Sequence, residues 1–172
     1  MDGFSGGMAV IGFGTFAILA YMKGDMSFVL VNLIIVAATL GFLVFNLPPS
    51  KIFLGDVGST LYGMFVALFI LWADTNDIFP AWLGVVVFLP FILDSTVTLG
   101  KRVLRGEKIW VAHRSHYYQR LVLVGLGHKK TLVFEYSWMI ICSLVSIVLF
   151  RMENLSVQIS LLILFTLLCI AL

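Results

Sequence analysis

The amino-acid sequence predicts an all-α protein: a polytopic membrane bundle of about six transmembrane helices. Of its 172 residues 61% are hydrophobic and only 12% are charged, and the mean hydropathy is +1.09. A soluble domain of this size could not cover its surface with so few charges, so lipid must solvate much of it. We therefore expect one integral membrane domain over residues 1–172, embedded in a lipid bilayer.

Six apolar runs approach the length of about 20 residues that a membrane-spanning helix requires. The third run is short and contains Gly63, so its helix is expected to begin inside the preceding loop. The fourth contains Pro90, which predicts a kink because proline removes a backbone hydrogen bond and clashes with the preceding turn. The runs cover residues 7–22, 27–45, 59–73, 79–99, 132–150 and 155–172.

The basic residues indicate which loops share one side of the membrane. Eight of the eleven Lys and Arg lie between Lys101 and Lys130, and Lys51 lies between the second and third runs. Positive charge in short loops marks the cytoplasmic side. We therefore expect the loops Asn46–Gly58 and Gly100–Thr131 to face the cytoplasm.

The most informative segment is Asn46–Ser59, a polar loop that contains several glycines. Glycines on both sides of Asp56 allow positive φ and close approach of the backbone to a ligand. A carboxylate near helix N–H groups and near Lys51 suits a phosphate together with Mg²⁺, which binds one or two carboxylates, waters and substrate oxygens. The alternative is a tight interhelical turn with a solvated aspartate.

Two further carboxylates each leave two interpretations open. Asp2 begins an acidic, glycine-rich turn, where it could act in a site or simply cap the next helix. Asp94 lies near the inner end of the fourth run, and a charge at the centre of a membrane helix costs ~2.5–3.5 kcal/mol. Asp94 should therefore face a polar cavity or pair with a base, and Arg102 would lie about two helical turns away.

The segment Ala112–Leu121 concentrates cationic and aromatic side chains. On a helix, His113, His116 and Arg120 would share one face, and Arg114 lies among them. Such a cluster at a membrane surface suits a phosphorylated, partly aromatic substrate. The alternative is an amphipathic interfacial helix that contacts anionic lipid.

Three segments together resemble a known family. Phe45–Ser59, followed by Leu61 and Gly63, resembles the cytoplasmic signature of the polyprenyl-phosphate N-acetylhexosamine-1-phosphate transferases of glycosyltransferase family 4. Met1–Gly7 resembles the tail of their Asp-Gly-x-Asp-Gly motif, and His113–Leu121 resembles their basic histidine motif. The run Asn-Leu-Pro-Pro-Ser-Lys resembles the undecaprenyl-phosphate GlcNAc-1-phosphate and O-antigen-initiating branch more than the muramyl-pentapeptide branch.

The resemblance implies an enzyme of bacterial cell-envelope glycan biosynthesis. It would transfer an N-acetylhexosamine-1-phosphate from a UDP-N-acetylamino sugar to polyprenyl (undecaprenyl) phosphate and release UMP. It would depend on Mg²⁺, with Mn²⁺ as an alternative ion. The protein would lie in the bacterial inner membrane with its active loops in the cytoplasm, without a nucleic-acid partner, and a homodimer is left open.

The resemblance also implies roles for eight residues. Asp56 and Asp2 would bind the metal, and together with His116 they would form the catalytic set. The other five residues would bind substrate, and they are Asn46, Lys51, His113, Arg114 and Arg120.

Departures from the family pattern leave other hypotheses open. The paired aspartates of an earlier family loop have no counterpart, so we expect the C-terminal half of a longer transferase. Ser5 replaces an aspartate of the second motif, and Tyr118 and Gln119 replace histidines of the third. The main alternative is therefore a catalytically inactive truncated membrane protein or a scaffold of a glycan-assembly complex. A transporter with Asp94 and Pro90 on its pathway is a third hypothesis, but the sequence lacks the paired helix interruptions typical of transporters.

Overall fold

A computed structural model describes residues 2–107, 116–152 and 154–171. Every regular element in these residues is helical, which confirms the predicted all-α fold. In chain order the elements are α1 (Phe4–Lys23), α2 (Met26–Asn46), α3 (Gly55–Thr75), α4 (Ala81–Val87), α5 (Leu89–Leu104), α6 (Tyr117–Leu121), a π-helical turn (Val122–Leu126), α7 (Gly127–Arg151) and α8 (Leu155–Ala171).

Four helical segments in the described part of the chain are long and apolar enough to cross a membrane. They are α1, α2, α3 and the segment Tyr117–Arg151 that contains α6 and α7. The pair of α4 and α5 would make a fifth span, although its two helices are bent by 78°. The sixth apolar run forms α8, whose 17 residues reach only the lower end of the spanning range of about 17–25. All six apolar runs are thus helical in the described residues, and four or five of them are long and apolar enough to span a membrane.

The bend between α4 and α5 lies beside Pro90. The two helices meet at Phe88, whose φ of −96° and ψ of 11° depart from helical values. Pro90 lies in the first turn of α5, where a missing backbone N–H breaks no helical hydrogen bond. The predicted kink is confirmed, and it divides the fourth apolar run into two helices.

Helix α1 forms the centre of the bundle. Phe13 and Phe16 are fully buried, and their rings lie 5.6 Å from that of Phe69 and 5.2 Å from that of Phe79, respectively. The ring of Phe16 also lies 5.8 Å from that of Phe88, at the bend between α4 and α5. Edge-on and tilted aromatic pairs of this kind stabilise a core beyond the area they bury. The aromatic side chains of α1 thus hold α3, α4 and the start of α5 in place.

Helices α1 and α2 form an antiparallel hairpin. The turn between them uses Gly24 at a φ of 91°, which favours glycine. Asp25 then caps α2, because its carboxylate accepts a hydrogen bond of 2.8 Å from the backbone N–H of Phe28. The start of α1 and the end of α2 therefore lie together at the opposite end of the bundle, where the candidate site is found.

Candidate functional site

Asn46 connects the start of α1 to the loop that follows α2. Its side chain is 5% exposed, and its Oδ1 accepts a hydrogen bond of 2.9 Å from the backbone N–H of Gly3. Its Nδ2 donates to the backbone carbonyl of Ile52 at 2.8 Å. One buried amide thus holds two of the three motifs together, because Gly3 follows Asp2 and Ile52 precedes Asp56. The predicted contact of Asn46 with substrate stays a prediction, and the structure adds a positioning function.

Gly3 also forms a hydrogen bond with a side chain of α7. The hydroxyl of Tyr136 donates a hydrogen bond to the carbonyl oxygen of Gly3. Gly3 has a φ of 74° and is itself the N-cap of α1, with no capping bond from a side chain. The alternative that Asp2 caps this helix is therefore wrong. Asp2 lies half-buried beside the clamped Gly3, at the same end of the bundle as the loop after α2.

Asp56 lies in the first turn of α3 and is exposed. Gly55, where this helix begins, has a φ of 68°, as expected for a glycine beside this aspartate. The helix starts four residues before the apolar run 59–73, which confirms that it begins inside the motif loop. A carboxylate in the first turn is favoured by the N–H groups there. Lys51, also exposed, lies earlier in the same loop, so both charges face the medium at this end.

A column of stacked rings joins the start of α1 to the histidine motif. The ring of Phe4 stacks on that of Tyr118 with centroids 4.6 Å apart. The ring of Tyr118 stacks on that of His116 with centroids 5.7 Å apart. On its other side Phe4 lies 6.1 Å from Phe91 of α5. The third motif is therefore packed against the segment that Asn46 and Tyr136 hold.

Asp94 is the carboxylate partner of His116. Its Oδ2 lies 3.3 Å from Nδ1 of His116, and both side chains are largely buried. Its Oδ1 accepts a hydrogen bond of 2.7 Å from the backbone N–H of Tyr117, the first residue of α6. The prediction that Asp94 pairs with a base is confirmed. The expected partner was wrong, because Arg102 instead binds Glu107 at 2.9 Å.

The described part of the histidine motif, residues 116–121, contains helix α6. Helix α6 begins at Tyr117, so His116 is its N-cap and lies before the first turn. Arg120 is exposed on this helix, with its guanidinium carbon 5.8 Å from the ring centre of Tyr117. His113 and Arg114, the other two predicted members, lie outside the described residues. Because His116 precedes the first turn of α6, it does not lie on the helical face that was expected to include His113, His116 and Arg120.

Sequence reasoning missed the residues that connect the motifs. Tyr136 and Phe4 were not identified, although each contacts a motif directly. The sequence gives only a weak indication for Tyr136, which is a tyrosine next to Glu135 within an apolar helix. It gives no indication for Phe4, because the chain contains many phenylalanines. Asp94 was noticed because it was a charge in an apolar run, but it was not assigned to the site.

The acidic residues at this end of the bundle suit a metal ion that retains water molecules and substrate oxygens among its ligands. Within the residues that the structure describes, no three His, Cys, Asp or Glu side chains lie close enough to hold a metal by themselves. Mg²⁺ does not require such a cage, because it commonly binds through one or two carboxylates together with waters and phosphate oxygens. The exposed carboxylate of Asp56 fits that mode, and half-buried Asp2 lies at the same end of the bundle.

Comparison with known proteins gives matches over nearly the whole chain. A sequence profile described as Glycosyl transferase family 4 matches residues 1–74. A probable undecaprenyl-phosphate N-acetylglucosaminyl 1-phosphate transferase of Bacillus subtilis is 31% identical over 169 residues, which are 97% of this chain and 46% of that protein. A phospho-N-acetylmuramoyl-pentapeptide-transferase of Staphylococcus saprophyticus is 34% identical over 139 residues, 80% of this chain and 41% of its own.

A phospho-N-acetylmuramoyl-pentapeptide-transferase of Bacillus pumilus is 37% identical over 139 residues, which are 77% of this chain and 40% of that protein. The chain thus spans less than half the length of these curated relatives. No solved structure matches it.

Proposed function

Because the chain belongs to glycosyl transferase family 4, we propose that it takes part in transfer of an N-acetylhexosamine-1-phosphate from a UDP-sugar to polyprenyl phosphate, with release of UMP. GlcNAc-1-phosphate is the first group to test, because the Bacillus subtilis relative that covers 97% of this chain is named for that sugar. Undecaprenyl phosphate is the acceptor in the same name. We also propose a role in O-antigen initiation, because the loop after α2 resembles the O-antigen-initiating branch of the family.

The observation that carries the proposal is that one end of the bundle gathers all three motifs. Asn46 joins the loop after α2 to Gly3, and the stack of Phe4, Tyr118 and His116 joins Gly3 to the histidine motif. Transfer between a water-soluble nucleotide and a membrane lipid requires polar groups at the membrane surface. A rigid junction of acidic and basic loops at the mouth of apolar helices meets that requirement.

Asp56, with Asp2 as a second carboxylate, is proposed to hold Mg²⁺ or Mn²⁺. When bound, such an ion neutralises charge on a diphosphate and on its leaving group. Asp56 is exposed in the first turn of α3, so a substrate phosphate can approach it from the medium. Lys51 in the same loop would add a point charge for phosphate.

His116 is proposed to bind a phosphate group of the substrate. The carboxylate of Asp94, whose Oδ2 lies 3.3 Å from Nδ1, would orient the imidazole. Stacking on Tyr118 fixes the plane of the ring. Asn46 would act on substrate mainly through the loop that it holds, while His113, Arg114 and Arg120 would complete the basic side. The basic residues of this end support its assignment to the cytoplasmic face of a bacterial inner membrane.

The test is exchange of labelled UMP into UDP-GlcNAc and other UDP-N-acetylamino sugars. Purified chain, undecaprenyl phosphate and Mg²⁺ should give exchange that disappears on chelation and in Asp56→Asn. Asp77→Asn is the matched control, because Asp77 is exposed in the turn between α3 and α4. Exchange that persists in Asp56→Asn would remove Asp56 from the metal site. A folded chain that exchanges none of these sugars would favour the inactive membrane protein or scaffold.

A further inference from the structure

A second group of cations lies beside the candidate site, around the ring of Tyr117. Nζ of Lys101 lies 5.0 Å from the centre of this ring and also donates a hydrogen bond to its hydroxyl. The guanidinium carbon of Arg120 lies 5.8 Å from the same ring centre. Lys101 belongs to α5 and Arg120 to α6, so two helices bring positive charges to one aromatic side chain. We call Lys101, Arg105, Arg120 and Tyr117 the Tyr117 cluster.

The cluster borders a small polar cavity. Its volume is about 30 Å³, which exceeds the roughly 10–15 Å³ that a cavity needs to hold one water. An anion larger than water would therefore sit at the mouth of this cavity, where Lys101, Arg105 and Arg120 are all exposed. The cavity is lined by Thr98, Lys101, Arg102, Arg105, Glu107, Tyr117 and Arg120.

Among the described residues that line this cavity, cations outnumber carboxylates. Its lining carries four cations and one carboxylate, and that carboxylate, Glu107, is bound to Arg102 at 2.9 Å. Within the described ranges, no carboxylate forms an ion pair with Lys101, Arg105 or Arg120. The face of an aromatic ring attracts cations only weakly at an exposed site. Cations held this close together repel one another, so binding of an anion between them is favoured.

The donors suit a phosphate group in particular. Guanidinium groups bind phosphate oxygens through two parallel hydrogen bonds, and the ammonium of Lys101 adds a compact charge. The cluster also adjoins the candidate site, because the backbone N–H of Tyr117 binds Asp94, the partner of His116. We propose that the Tyr117 cluster is a phosphate-binding subsite that takes the phosphate ester of a soluble or lipid ligand and is separate from the Asp56 loop.

Two binding measurements on the whole chain test the subsite without any turnover. In the first, inorganic diphosphate is titrated calorimetrically into protein in neutral phosphatidylcholine nanodiscs, without divalent cations. In the second, phosphatidic acid is titrated into detergent-purified protein and bound lipids are counted by native mass spectrometry. The first probe represents a soluble phosphate, and the second a phosphate carried by lipid.

Neutral variants should weaken binding of at least one probe. We expect Lys101→Gln, Arg105→Gln and Arg120→Gln each to weaken it about tenfold, the size of one charge-assisted phosphate contact. Lys23→Gln and Arg151→Gln are the matched controls, because both residues are exposed at the other end of the bundle. The controls should change binding by about twofold or less.

A charge-retaining variant keeps the test valid if a neutral variant folds poorly. Lys101→Arg should bind either probe nearly as tightly as the parent protein, with unchanged helical circular dichroism. Weakening confined to diphosphate would assign the subsite to a soluble phosphate, and weakening confined to phosphatidic acid would assign it to a lipid. Both results support the proposal. Parent-like binding of both probes by all neutral variants, or equal losses in the two controls, would overturn it.

The subsite and the proposed transfer can fail independently. If the substitutions weaken binding of diphosphate or phosphatidic acid but the chain shows no UMP exchange, the subsite is retained and the transfer is rejected. If the chain exchanges UMP but the substitutions leave binding of both probes unchanged, the transfer is retained and the subsite is rejected.

Discussion

The side-chain oxygen of Asn46 lies 2.9 Å from the backbone nitrogen of Gly3, across 43 positions of sequence. The nitrogen of the same amide binds the carbonyl of Ile52 at 2.8 Å. Asn46 and Gly3 are buried, so water does not readily replace the bond between them when the side chain is removed. This amide therefore links the segment of Asp2 directly to the loop of Asp56.

Asn46→Ala should lower both the stability and the activity of the protein. It leaves the buried N–H of Gly3 without its partner, which costs about 1–3 kcal/mol, and it also frees the carbonyl of the exposed Ile52. The measurement is the thermal unfolding midpoint in detergent, together with UMP exchange. Asn76→Ala is the control, because Asn76 is exposed after α3. An Asn46→Ala protein as stable and active as the Asn76→Ala protein would show that the loop is positioned by other contacts.

Gly7→Ala should disturb the contact between α1 and α7. A Cβ atom at Gly7 would lie 1.9 Å from the hydroxyl oxygen of Tyr136, which donates to Gly3. Overpacking of this kind costs about 1–3 kcal/mol. Gly14→Ala, on the same helix, is the matched control, because its Cβ would meet nothing within 4 Å. Alanine there should be neutral or stabilising by up to about 1 kcal/mol, since it favours helix more than glycine.

The two glycine variants are compared by thermal unfolding, and each is repeated in a Tyr136→Ala background. The loss caused by Gly7→Ala should become smaller in that background, because alanine lacks both the hydroxyl and the ring carbons that the new methyl group meets. An equal loss in both backgrounds would show that the contact with Tyr136 does not set the cost.

Two variants of Asp94 should separate the effect of its charge from the effect of its hydrogen bond to Tyr117. Asp94→Asn keeps an oxygen that can accept the hydrogen bond of Tyr117, but it removes the charge beside His116. We expect it to lower UMP exchange while α6 stays protected from amide hydrogen exchange. Asp94→Ala also removes the acceptor of the Tyr117 N–H, a bond to a charged group worth about 1.5–3 kcal/mol, so amide exchange in α6 should accelerate.

The control for these variants is Asp25→Asn, a change at the cap of α2 at the far end of the bundle. It should leave UMP exchange and the protection of α6 unaltered. If Asp94→Asn behaved as this control does, the pairing of Asp94 with His116 would have no part in the reaction.

Local features of the fold were predictable from the sequence, and the errors have physical reasons. The bend at Pro90 and the positive φ of Gly55 follow from the chemistry of single residues. The start of α3 inside the polar loop was expected from the shortness of the third apolar run, and it is confirmed. Hydropathy alone did not show that the fourth run divides into two helices bent by 78°.

The candidate site was predictable as a set of motifs but not as a connected structure. Asp56 and His116 were identified because charged and imidazole groups are rare in so apolar a chain. Asp94 was expected to face a polar cavity or to pair with a base, and Arg102, about two helical turns away, was the base at hand. Asp94 binds instead to His116 and to the backbone of Tyr117, 23 positions away. A tertiary contact replaced the local pairing that helical spacing suggested.

By itself the sequence determined that the protein is an all-α membrane bundle with polar loops, because hydropathy, proline and glycine act over one or two helical turns. Only the tertiary structure decided which of those loops meet. Gly3 is held by Asn46 and, across 133 positions, by Tyr136. Such pairings depend on how the helices pack around α1, since the energy of a buried hydrogen bond depends on the distance between atoms and not on their separation along the chain.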